Sequence, residues 1–340
     1  MSEMSTVIET ADEIVARIEA AGQRMKRVHQ AAGNVIFGQD QVIEHALVTI
    51  LAGGHAVLIG VPGLAKTLLV DTLGKVLGLE SKRIQFTPDL MPSDIIGAEV
   101  LEQSEQAASH GGRRSFRFIK GPIFTQLLMA DEINRASPKT QSALLQAMQE
   151  HHVTVAGQRH DTPQPFHVLA TQNPLEQEGT YPLPEAQLDR FLLQIDVSYP
   201  DRAAERRMLF ATTGTEERRL ETILTAPELM AIQRLVRQIP VPDKVVEAIL
   251  TLVRAARPGA EGSEETNKYV AWGPGPRASQ ALMLAVRAKA MLDGRLAPSV
   301  DDVVALAEPV LKHRMALSFT ARADGREIGQ VINTLAKSLE

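Results

Sequence analysis

The stretch GVPGLAKT, residues 60–67, is where residue types and spacing point most directly to chemistry. It nearly matches the P-loop pattern G-x-x-x-x-G-K-[ST], in which backbone amides and a lysine bind the phosphates of a nucleotide. The departure is Ala65, which stands where the pattern has glycine. An apolar run, His55–Ile59, precedes the stretch, and leucines at helical spacing follow it. A strand, a turn and a helix start in this order direct amide N–H groups toward an anion.

Ala65 leaves two interpretations open. With any residue allowed at that position, the pattern arises by chance in about one of six chains of this length at typical composition. A plain strand–turn–helix connection therefore competes with a phosphate cradle. The cradle requires only that Ala65 keep a negative φ, and Gly63 supplies a second flexible point. The surrounding strand and helix patterns favour the cradle.

Polar side chains end two later apolar segments. Asp131 and Glu132 follow Leu127–Ala130, and Asn173 comes shortly after Phe166–Thr171. A P-loop enzyme needs a carboxylate near Mg²⁺ at a neighbouring strand end and a group that orients the attacking water. An acidic pair or an Asn-Pro step is also common in a plain turn. Because ligands of open parallel sheets bind where the strands end, the joint occurrence favours a nucleotide site.

Two arginines are further candidates for an anion site. Arg190 lies in a short helix pattern that leads into the last predicted strand. Arg277 follows Pro276, a residue typical of a first helical turn. A cation in a first turn opposes the helix dipole by about 0.3–1 kcal/mol, which indicates a compensating anion. A solvated surface charge is the alternative for either arginine.

Short apolar segments predict the strands that position these side chains. They are residues 55–60, 83–87, 126–131, 166–171 and 191–196. Continuous apolar runs separated by helix patterns are typical of parallel strands buried on both faces. An amphipathic helix is predicted over 8–31, and two hairpins, 98–119 with its turn at 111–112 and 153–162, interrupt the α/β part.

Beyond residue 200 the sequence predicts helices and no strand. The helix patterns cover 204–213, 226–238, 242–256, 276–293 and 299–316. The segment 257–275 is rich in glycine and proline and is predicted to be an exposed loop. We therefore expect an N-terminal helical segment over 1–33, an α/β domain over 34–200 and an all-α domain over 201–340.

Composition narrows the class of protein. The 340 residues are 44% hydrophobic and 23% charged, which is typical of a soluble globular protein. The absence of cysteine excludes disulfides, thiolate catalysis, Fe–S clusters and cysteine zinc sites. A net charge of −5 argues against binding nucleic acid over the whole surface. No signal-peptide layout opens the chain and glycines break its longest uncharged run, so we expect a cytoplasmic protein without a membrane span.

With these residues in place, the sequence resembles the AAA+ ATPases and, within them, the MoxR family. The resemblance extends from about Val35 to Ser318. It is carried by VIFGQD, GVPGLAKT, RIQFTPDLMPSDIIG, FIKGPIF, LLMADEINRASPKTQSALLQAMQE, VLATQNP, GTYPLPEAQLDRF, GPRASQAL and VLKHR. It implies a P-loop NTPase core, with a parallel five-stranded sheet flanked by helices, and a C-terminal all-α lid. In this family the loop commonly reads GLAKT, so Ala65 is compatible with nucleotide binding.

The resemblance implies ATP and Mg²⁺ as cofactors and assigns the residues that bind them. Gly38 and Gln39 lie beside the adenine. The nucleotide-binding loop comprises Gly60, Val61, Pro62, Gly63, Leu64, Ala65, Lys66, Thr67 and Leu68. Within it, Lys66 neutralises the β and γ phosphate oxygens and Thr67 ligates Mg²⁺. Asp131 is the second residue at the metal.

The family's catalytic groups match five further positions. Glu132 polarises the attacking water, and Asn173 corresponds to the sensor-1 residue that orients it. Arg190 corresponds to the arginine finger offered to the neighbouring subunit, with Arg135 a second candidate for that contact. Arg277 corresponds to sensor 2, and the two hairpins match the helix-2-insert clade. Such proteins usually form hexameric rings, so we expect a homo-oligomer.

The resemblance implies a chaperone-like motor that remodels a partner protein. The family suggests that this partner is a von Willebrand factor A (VWA) domain protein. Maturation of such a partner can include metal insertion. A nucleic-acid motor is an alternative because residues 111–120, GGRRSFRFIK, interleave basic and aromatic residues. A plain hairpin with Phe116 and Phe118 packed on one face explains the same pattern and is favoured. A nucleotide-dependent scaffold is the third alternative, disfavoured by the presence of Glu132 and Arg190.

Overall fold

The computed structural model describes residues 11–103, 114–175, 179–213 and 220–339. The chain forms two compact units, one of Ala32–Ala226 and one of Met1–Ala31 with Pro227–Glu340. The strands are β1 (Ala56–Ile59), β2 (Ser81–Gln85), β3 (Gly97–Gln103), β4 (Arg114–Lys120), β5 (Leu127–Asp131), β6 (His152–Val155), β7 (Gln158–Asp161), β8 (His167–Gln172), β9 (Leu193–Asp196), β10 (Val270–Trp272) and β11 (Ala316–Leu317).

The helices begin with α1 and α2 and end with a short C-terminal pair. They are α1 (Ala11–Gly33), α2 (Asp40–Leu51), α3 (Lys66–Val76), α4 (Pro92–Ile96), α5 (Pro138–Glu150), α6 (Glu185–Leu188), α7 (Arg202–Thr213), α8 (Ala226–Gln238), α9 (Asp243–Ala255), α10 (Glu264–Tyr269), α11 (Pro276–Asp293), α12 (Val300–Leu311), α13 (Phe319–Ala323) and α14 (Ile328–Lys337). Of the helix predicted over 8–31, residues 8–10 lie outside the described residues. No helix in the described part of the chain combines the length and apolar character that crossing a bilayer requires.

The first unit is built on a five-stranded sheet in the order β2-β5-β8-β1-β9. Every neighbouring pair is parallel, which confirms the predicted fold class. All residues of β5 are buried, as expected for a strand covered on both faces. In β2, by contrast, only Ile84 is buried. This edge strand begins two residues before the predicted segment, because its first residues are polar and give no apolar signal in the sequence.

Both predicted hairpins are present, but one of them differs from the expected packing. Strands β3 and β4 pair antiparallel, as do β6 and β7, while the predicted turn at 111–112 lies outside the described residues. Phe118 packs against the core and stacks on His160, with ring centroids 3.9 Å apart. Phe116 is 70% exposed, which contradicts the expectation that both rings pack. Phe116 pairs with Leu101 farther along the hairpin, and Leu101 is itself exposed.

The second unit is helical, with a two-stranded exception. Strands β10 and β11 pair antiparallel, so the expectation of no strand beyond residue 200 is wrong. The segment 257–275 also contains α10 and buries Tyr269 and Val270, although it was predicted to be an exposed loop. Strands of three and two residues are too short for alternation to reveal. The domain boundaries near residues 33 and 200 stay predictions; the compact units group α1 with the C-terminal helices and α7 with the sheet.

Two histidines are buried at the amino-terminal edge of the sheet. His55 Nδ1 accepts the Val168 N–H at 2.9 Å, so its Nε2–H donates to the Met148 carbonyl at 3.2 Å. His167 Nδ1 lies 2.9 Å from the Gly54 carbonyl, to which it donates. Burial, reinforced by the other histidine's charge, lowers the pKa of His55 to about 3, and burial lowers that of His167 to about 4. Both side chains are therefore neutral in the folded protein at neutral pH.

We predict that acid destabilises the unit that contains these histidines. Below the ordinary pKa of 6.5 the unfolded chain binds protons that the folded chain excludes, so the free energy of unfolding decreases as pH falls. Each histidine lowers it by about 1.4 kcal/mol per pH unit. The free energy of unfolding falls with pH in this way between pH 6.5 and about 4 for His167, and between pH 6.5 and about 3 for His55.

Urea unfolding between pH 7 and pH 4.5 measures this slope. His167→Asn keeps a donor near the Nδ1 position without a titrating ring, and it should reduce the slope by about one proton. His29→Asn, at a half-buried position in the other unit, is the control for replacing a histidine by asparagine. Equal slopes for wild type and His167→Asn would contradict the prediction.

Candidate nucleotide-binding site

The loop between β1 and α3 contains two residues in left-handed conformations. Gly63 has φ +85°, and Ala65, the residue before α3, has φ 58° and ψ 23°. The expectation that Ala65 keeps a negative φ is therefore wrong. The loop must reverse direction immediately before the helix, and that geometry explains why the P-loop pattern has glycine here. An L-residue in this region costs roughly 1–2 kcal/mol, which alanine tolerates because its side chain is a single methyl group.

Lys66 begins α3 and folds back over the loop. Its Nζ donates to the carbonyl oxygens of Gly60 at 2.6 Å and Val61 at 2.8 Å. Burial lowers the pKa of Lys66, while the charges of Asp131 and Glu132 oppose that shift. The ammonium group is thus held at the start of an 11-residue helix, where amide N–H groups and the helix dipole also favour an anion.

A cleft of about 490 Å³ opens beside this loop. Its walls come from the loop and the ends of β2, β5 and β8, and they are formed by Pro62, Gly63, Leu64, Ala65, Lys66, Thr67, Leu68, Arg83, Gln85, Asp131, Glu132, Thr171, Gln172 and Asn173. The structure therefore brings most of the sequence-predicted site residues to one place. The two decisive ones, Lys66 and Asp131, line the same cleft rather than pointing apart.

Thr171 links the two acidic residues at the end of β5. The Thr171 hydroxyl donates to Asp131 Oδ1 at 2.5 Å, and Thr171 Oγ1 accepts the Glu132 N–H at 2.9 Å. Glu132 has φ 55°, so the chain turns sharply directly after the buried Asp131. One buried hydroxyl on β8 thereby sets the orientation of the Asp131 carboxylate and of the Glu132 backbone.

We predict that Thr171→Val, which keeps the shape and removes the hydroxyl, lowers both stability and turnover. It leaves a buried carboxylate oxygen and an amide without partners, at a cost of about 1–3 kcal/mol in the free energy of unfolding. We expect ATP turnover to fall at least about tenfold because the carboxylates lose their orientation. Thr171→Ser keeps the hydroxyl and serves as the control. Equal turnover in the two variants would argue against this role.

Two residues of β2 complete the acidic side of the cleft. Arg83 donates to Asp131 Oδ2 from Nε, at 3.1 Å, and from Nη2. The same Nη2 donates to Gln85 Oε1 at 2.9 Å, and Gln85 Nε2 donates to Glu132 Oε2 at 2.6 Å. The four side chains form one connected chain of hydrogen bonds.

Sequence reasoning missed Arg83, Gln85 and Thr171. The first two alternate about the buried Ile84, so they share one face of β2, and the sheet places Gln85 in register with Asp131. Alternation was therefore the available signal, but the strand neighbour of β2 was not known. Thr171 lies inside an apolar run, where nothing in the sequence distinguishes it from a core residue.

Asn173 and Arg135 are two further predicted residues, one lining the cleft and one in contact with Glu132. Asn173 follows β8 and lines the cleft, and its Oδ1 accepts the Leu175 N–H at 3.1 Å. Arg135 Nη1 lies 3.1 Å from Glu132 Oε2, the oxygen that Gln85 also contacts. Arg135 thus pairs with Glu132 of its own chain.

Five further predicted residues of the same unit do not line the cleft: Gly38, Gln39, Gly60, Val61 and Arg190. Gln39 donates to the Leu64 carbonyl at 3.4 Å, so it supports the loop from behind. Gly38 has φ +67°, and a Cβ there would lie 2.4 Å from the Ala204 methyl carbon, which explains the glycine by close packing. Arg190 is half-buried directly after α6, and Arg277 is exposed in the first turn of α11 in the other unit.

The residues present fit a nucleoside triphosphate and a divalent cation. The cleft joins a helix start and an ammonium group, which suit phosphates, to the Asp131 carboxylate and the Thr67 hydroxyl, which are oxygen ligands of the kind Mg²⁺ prefers. Among the described residues, no cluster of three or more His, Cys, Asp or Glu side chains suggests a metal held by protein alone.

Comparison with known proteins identifies the class of protein to which the chain belongs. Residues 55–193 match the ATPase family associated with various cellular activities (AAA), and residues 263–335 match the AAA lid domain. A presumed ATPase from Cytophaga hutchinsonii, solved by crystallography, superposes with a TM-score of 0.85 at 38% identity, covering 96% of each chain. The fold is thus that of an AAA-type ATPase.

Sequence identity to individual relatives identifies the protein family. The chain is 42% identical over 306 residues to the chaperone MoxR1 of Mycobacterium tuberculosis, covering 90% of this chain and 79% of MoxR1. It is 31% identical over 314 residues to the protein MoxR of Paracoccus denitrificans, covering 87% and 89%. The chain belongs to the MoxR family of AAA+ ATPases.

Proposed function

We propose that this ATPase is a chaperone-like motor that couples ATP hydrolysis to the remodelling of a partner protein. The observation that carries the proposal is the single cleft in which Lys66, Thr67, Asp131 and Glu132 meet at the carboxyl ends of parallel strands. The likeness to a protein named as a chaperone, MoxR1, supports the link between that cleft and work on another protein.

In this proposal the residues of the cleft divide the chemistry between them. Lys66 and the loop amides bind the phosphates, and Thr67 and Asp131 hold Mg²⁺, which when bound supplies charge neutralisation. Glu132 accepts a hydrogen bond from the attacking water, with Gln85 and Arg135 fixing its carboxylate at Oε2. Asn173 orients the same water. Gly38 and Gln39 lie near the adenine.

The proposal includes a second copy of the chain. Arg190 is the finger that reaches the neighbouring subunit's ATP, Arg277 is the sensor of the lid, and a hexameric ring is the assembly. The physical motive is that phosphoryl transfer depends on charge stabilisation, for which a finger in trans contributes about 10³–10⁵ in rate. Arg135 is the less favoured finger because it already pairs with Glu132 of its own chain.

The partner we propose is a VWA-domain protein in the cytoplasm, whose maturation can include insertion of a metal ion. The family resemblance supports this choice. The exposed side chains of Leu101 and Phe116 on the β3–β4 hairpin offer a surface on which an unfolded or loosely packed partner can bind.

Affinity capture with Glu132→Gln under ATP tests the proposal. This variant should bind ATP, hydrolyse it at least about 100-fold more slowly and retain the partner. The control is the double variant Lys66→Ala, Glu132→Gln, which should retain nothing because it does not bind ATP. Identical captured proteins in both samples would contradict ATP-dependent work on a partner.

A nucleic-acid motor is the second candidate, favoured by one observation. Phe116 is exposed beside the exposed Arg117, so the hairpin can stack a base and contact a phosphate. Single-stranded DNA should then stimulate ATPase activity, less at high salt, and Phe116→Ala should remove the stimulation. The net charge of −5 argues against this candidate, and we expect no stimulation.

A further inference from the structure

The carboxylate of Asp131 has partners on both of its oxygens. Oδ1 accepts the Thr171 hydroxyl at 2.5 Å, and Oδ2 accepts Nε of Arg83 at 3.1 Å together with its Nη2. The second pairing is an ion pair in which both donors of the guanidinium meet one oxygen. A cation therefore already lies against the oxygen that faces β2.

The two partners of this ion pair differ in their access to water. The side chain of Asp131 is 11% exposed, whereas that of Arg83 is 49% exposed. A carboxylate buried to that extent is costly to leave without a cation, while a half-exposed guanidinium can return to water at little cost. The pair is thus asymmetric: Asp131 requires some cation, but Arg83 does not require Asp131.

The charge of the cleft depends on Arg83. The charged residues that line it are Lys66, Arg83, Asp131 and Glu132, two of each sign. Arg135 pairs with Glu132 from beside the cleft, so without Arg83 it is the Asp131 carboxylate that loses its ion pair and attracts a metal ion more strongly. A metal ion that binds Asp131 Oδ2 must displace the Arg83 guanidinium, so the ion pair disfavours a metal ion that arrives without phosphate.

We propose that Arg83 is a positioning residue that competes with Mg²⁺ for the Asp131 carboxylate. It holds the carboxylate in a charge-compensated position, and it leaves Oδ2 when the metal arrives with the nucleotide. This inference rests on the proposed role of Asp131 at the metal. Its consequence is that the cleft distinguishes a metal–nucleotide complex from a free metal ion, and that Arg83 sets the Mg²⁺ concentration at which that complex forms.

Calorimetric binding of the non-hydrolysable analogue AMP-PNP, in EDTA and over a series of Mg²⁺ concentrations, tests this. Arg83→Met should lower the Mg²⁺ concentration for half-maximal enhancement at least about fivefold, the effect of one charge about 4 Å away in a water-like dielectric. It should also weaken binding in EDTA by a similar factor. Arg83→Gln, which keeps a donor but no charge, should behave in the same way even if the methionine variant folds poorly.

Three further variants make the result interpretable. Arg83→Lys restores the charge and should return the Mg²⁺ dependence close to wild type, which a purely structural role would not achieve. Lys82→Met removes a charge from the same strand, where Lys82 pairs with Glu80 outside the cleft, and should change nothing. Asp131→Asn should raise the Mg²⁺ requirement.

The expected results distinguish the role of Arg83 from the proposed role of Asp131 at the metal. If Asp131→Asn leaves the Mg²⁺ dependence unchanged, Asp131 is not at the metal and the proposed site fails. If Asp131→Asn changes it while Arg83→Met and Arg83→Gln match wild type, only the role of Arg83 is overturned. A lower Mg²⁺ requirement in both Arg83 variants, reversed by lysine, supports it.

Discussion

Replacing Lys66 by alanine is expected to weaken ATP binding at least about 100-fold. The Lys66 ammonium now donates to the carbonyls of Gly60 and Val61, which places it within the loop where the β and γ phosphates would lie. Each charge-assisted hydrogen bond to a phosphate oxygen contributes about 1.5–3 kcal/mol, and two of them account for the expected loss. Calorimetric titration of ATP in the presence of Mg²⁺ measures it.

The matched control is Lys75→Ala on the same helix. Lys75 is exposed in the last turn of α3, away from the loop, so its removal should leave ATP affinity unchanged. If Lys66→Ala bound ATP as tightly as Lys75→Ala, the loop would not be a phosphate cradle.

Arg190→Ala is expected to bind ATP normally and to lose hydrolysis by about 10³-fold or more. Arg190 does not line the cleft of its own chain, so ground-state binding should not depend on it. In the proposed ring it stabilises charge that develops only in the transition state of the neighbouring site, and such a finger is worth about 10³–10⁵ in rate. Steady-state ATP turnover, with binding measured in parallel, separates the two effects.

A mixing experiment then tests whether Arg190 acts in trans. Arg190→Ala retains a complete cleft, and Lys66→Ala retains the finger, so a mixed ring contains some intact composite sites. We expect partial recovery of turnover when the two inactive variants are combined. Continued inactivity, with subunit exchange demonstrated by labelled chains, would count against action in trans.

The sheet was predictable because its strands differ sharply from their surroundings. Strands β5 and β8 contain the short, continuous apolar runs 127–130 and 168–170, and helical patterns separate such runs along the chain. The segment predicted for the edge strand β2 began two residues too late, because Ser81 and Lys82 are exposed and carry no apolar signal. The short pair β10 and β11 escaped prediction because its pairing joins segments distant in sequence.

The residues of the candidate site could be predicted where a residue's own type and its place in the local sequence indicate its role. Lys66 and Asp131 stand at strand and helix boundaries that the sequence reveals. Arg83 and Thr171 depend instead on which strands are neighbours, and that information lies in the tertiary register. The positive φ of Ala65 was missed because chain reversal, rather than residue type, determines it there.

A structure of the protein with AMP-PNP and Mg²⁺ tests the central claim most directly. We predict that the triphosphate lies in the loop of residues 60–67, with Lys66 Nζ on the β and γ oxygens and Mg²⁺ between Thr67 and Asp131. We also predict a neighbouring copy whose Arg190 faces the γ-phosphate. A nucleotide bound elsewhere, with Lys66 still donating to Gly60 and Val61, would contradict that claim.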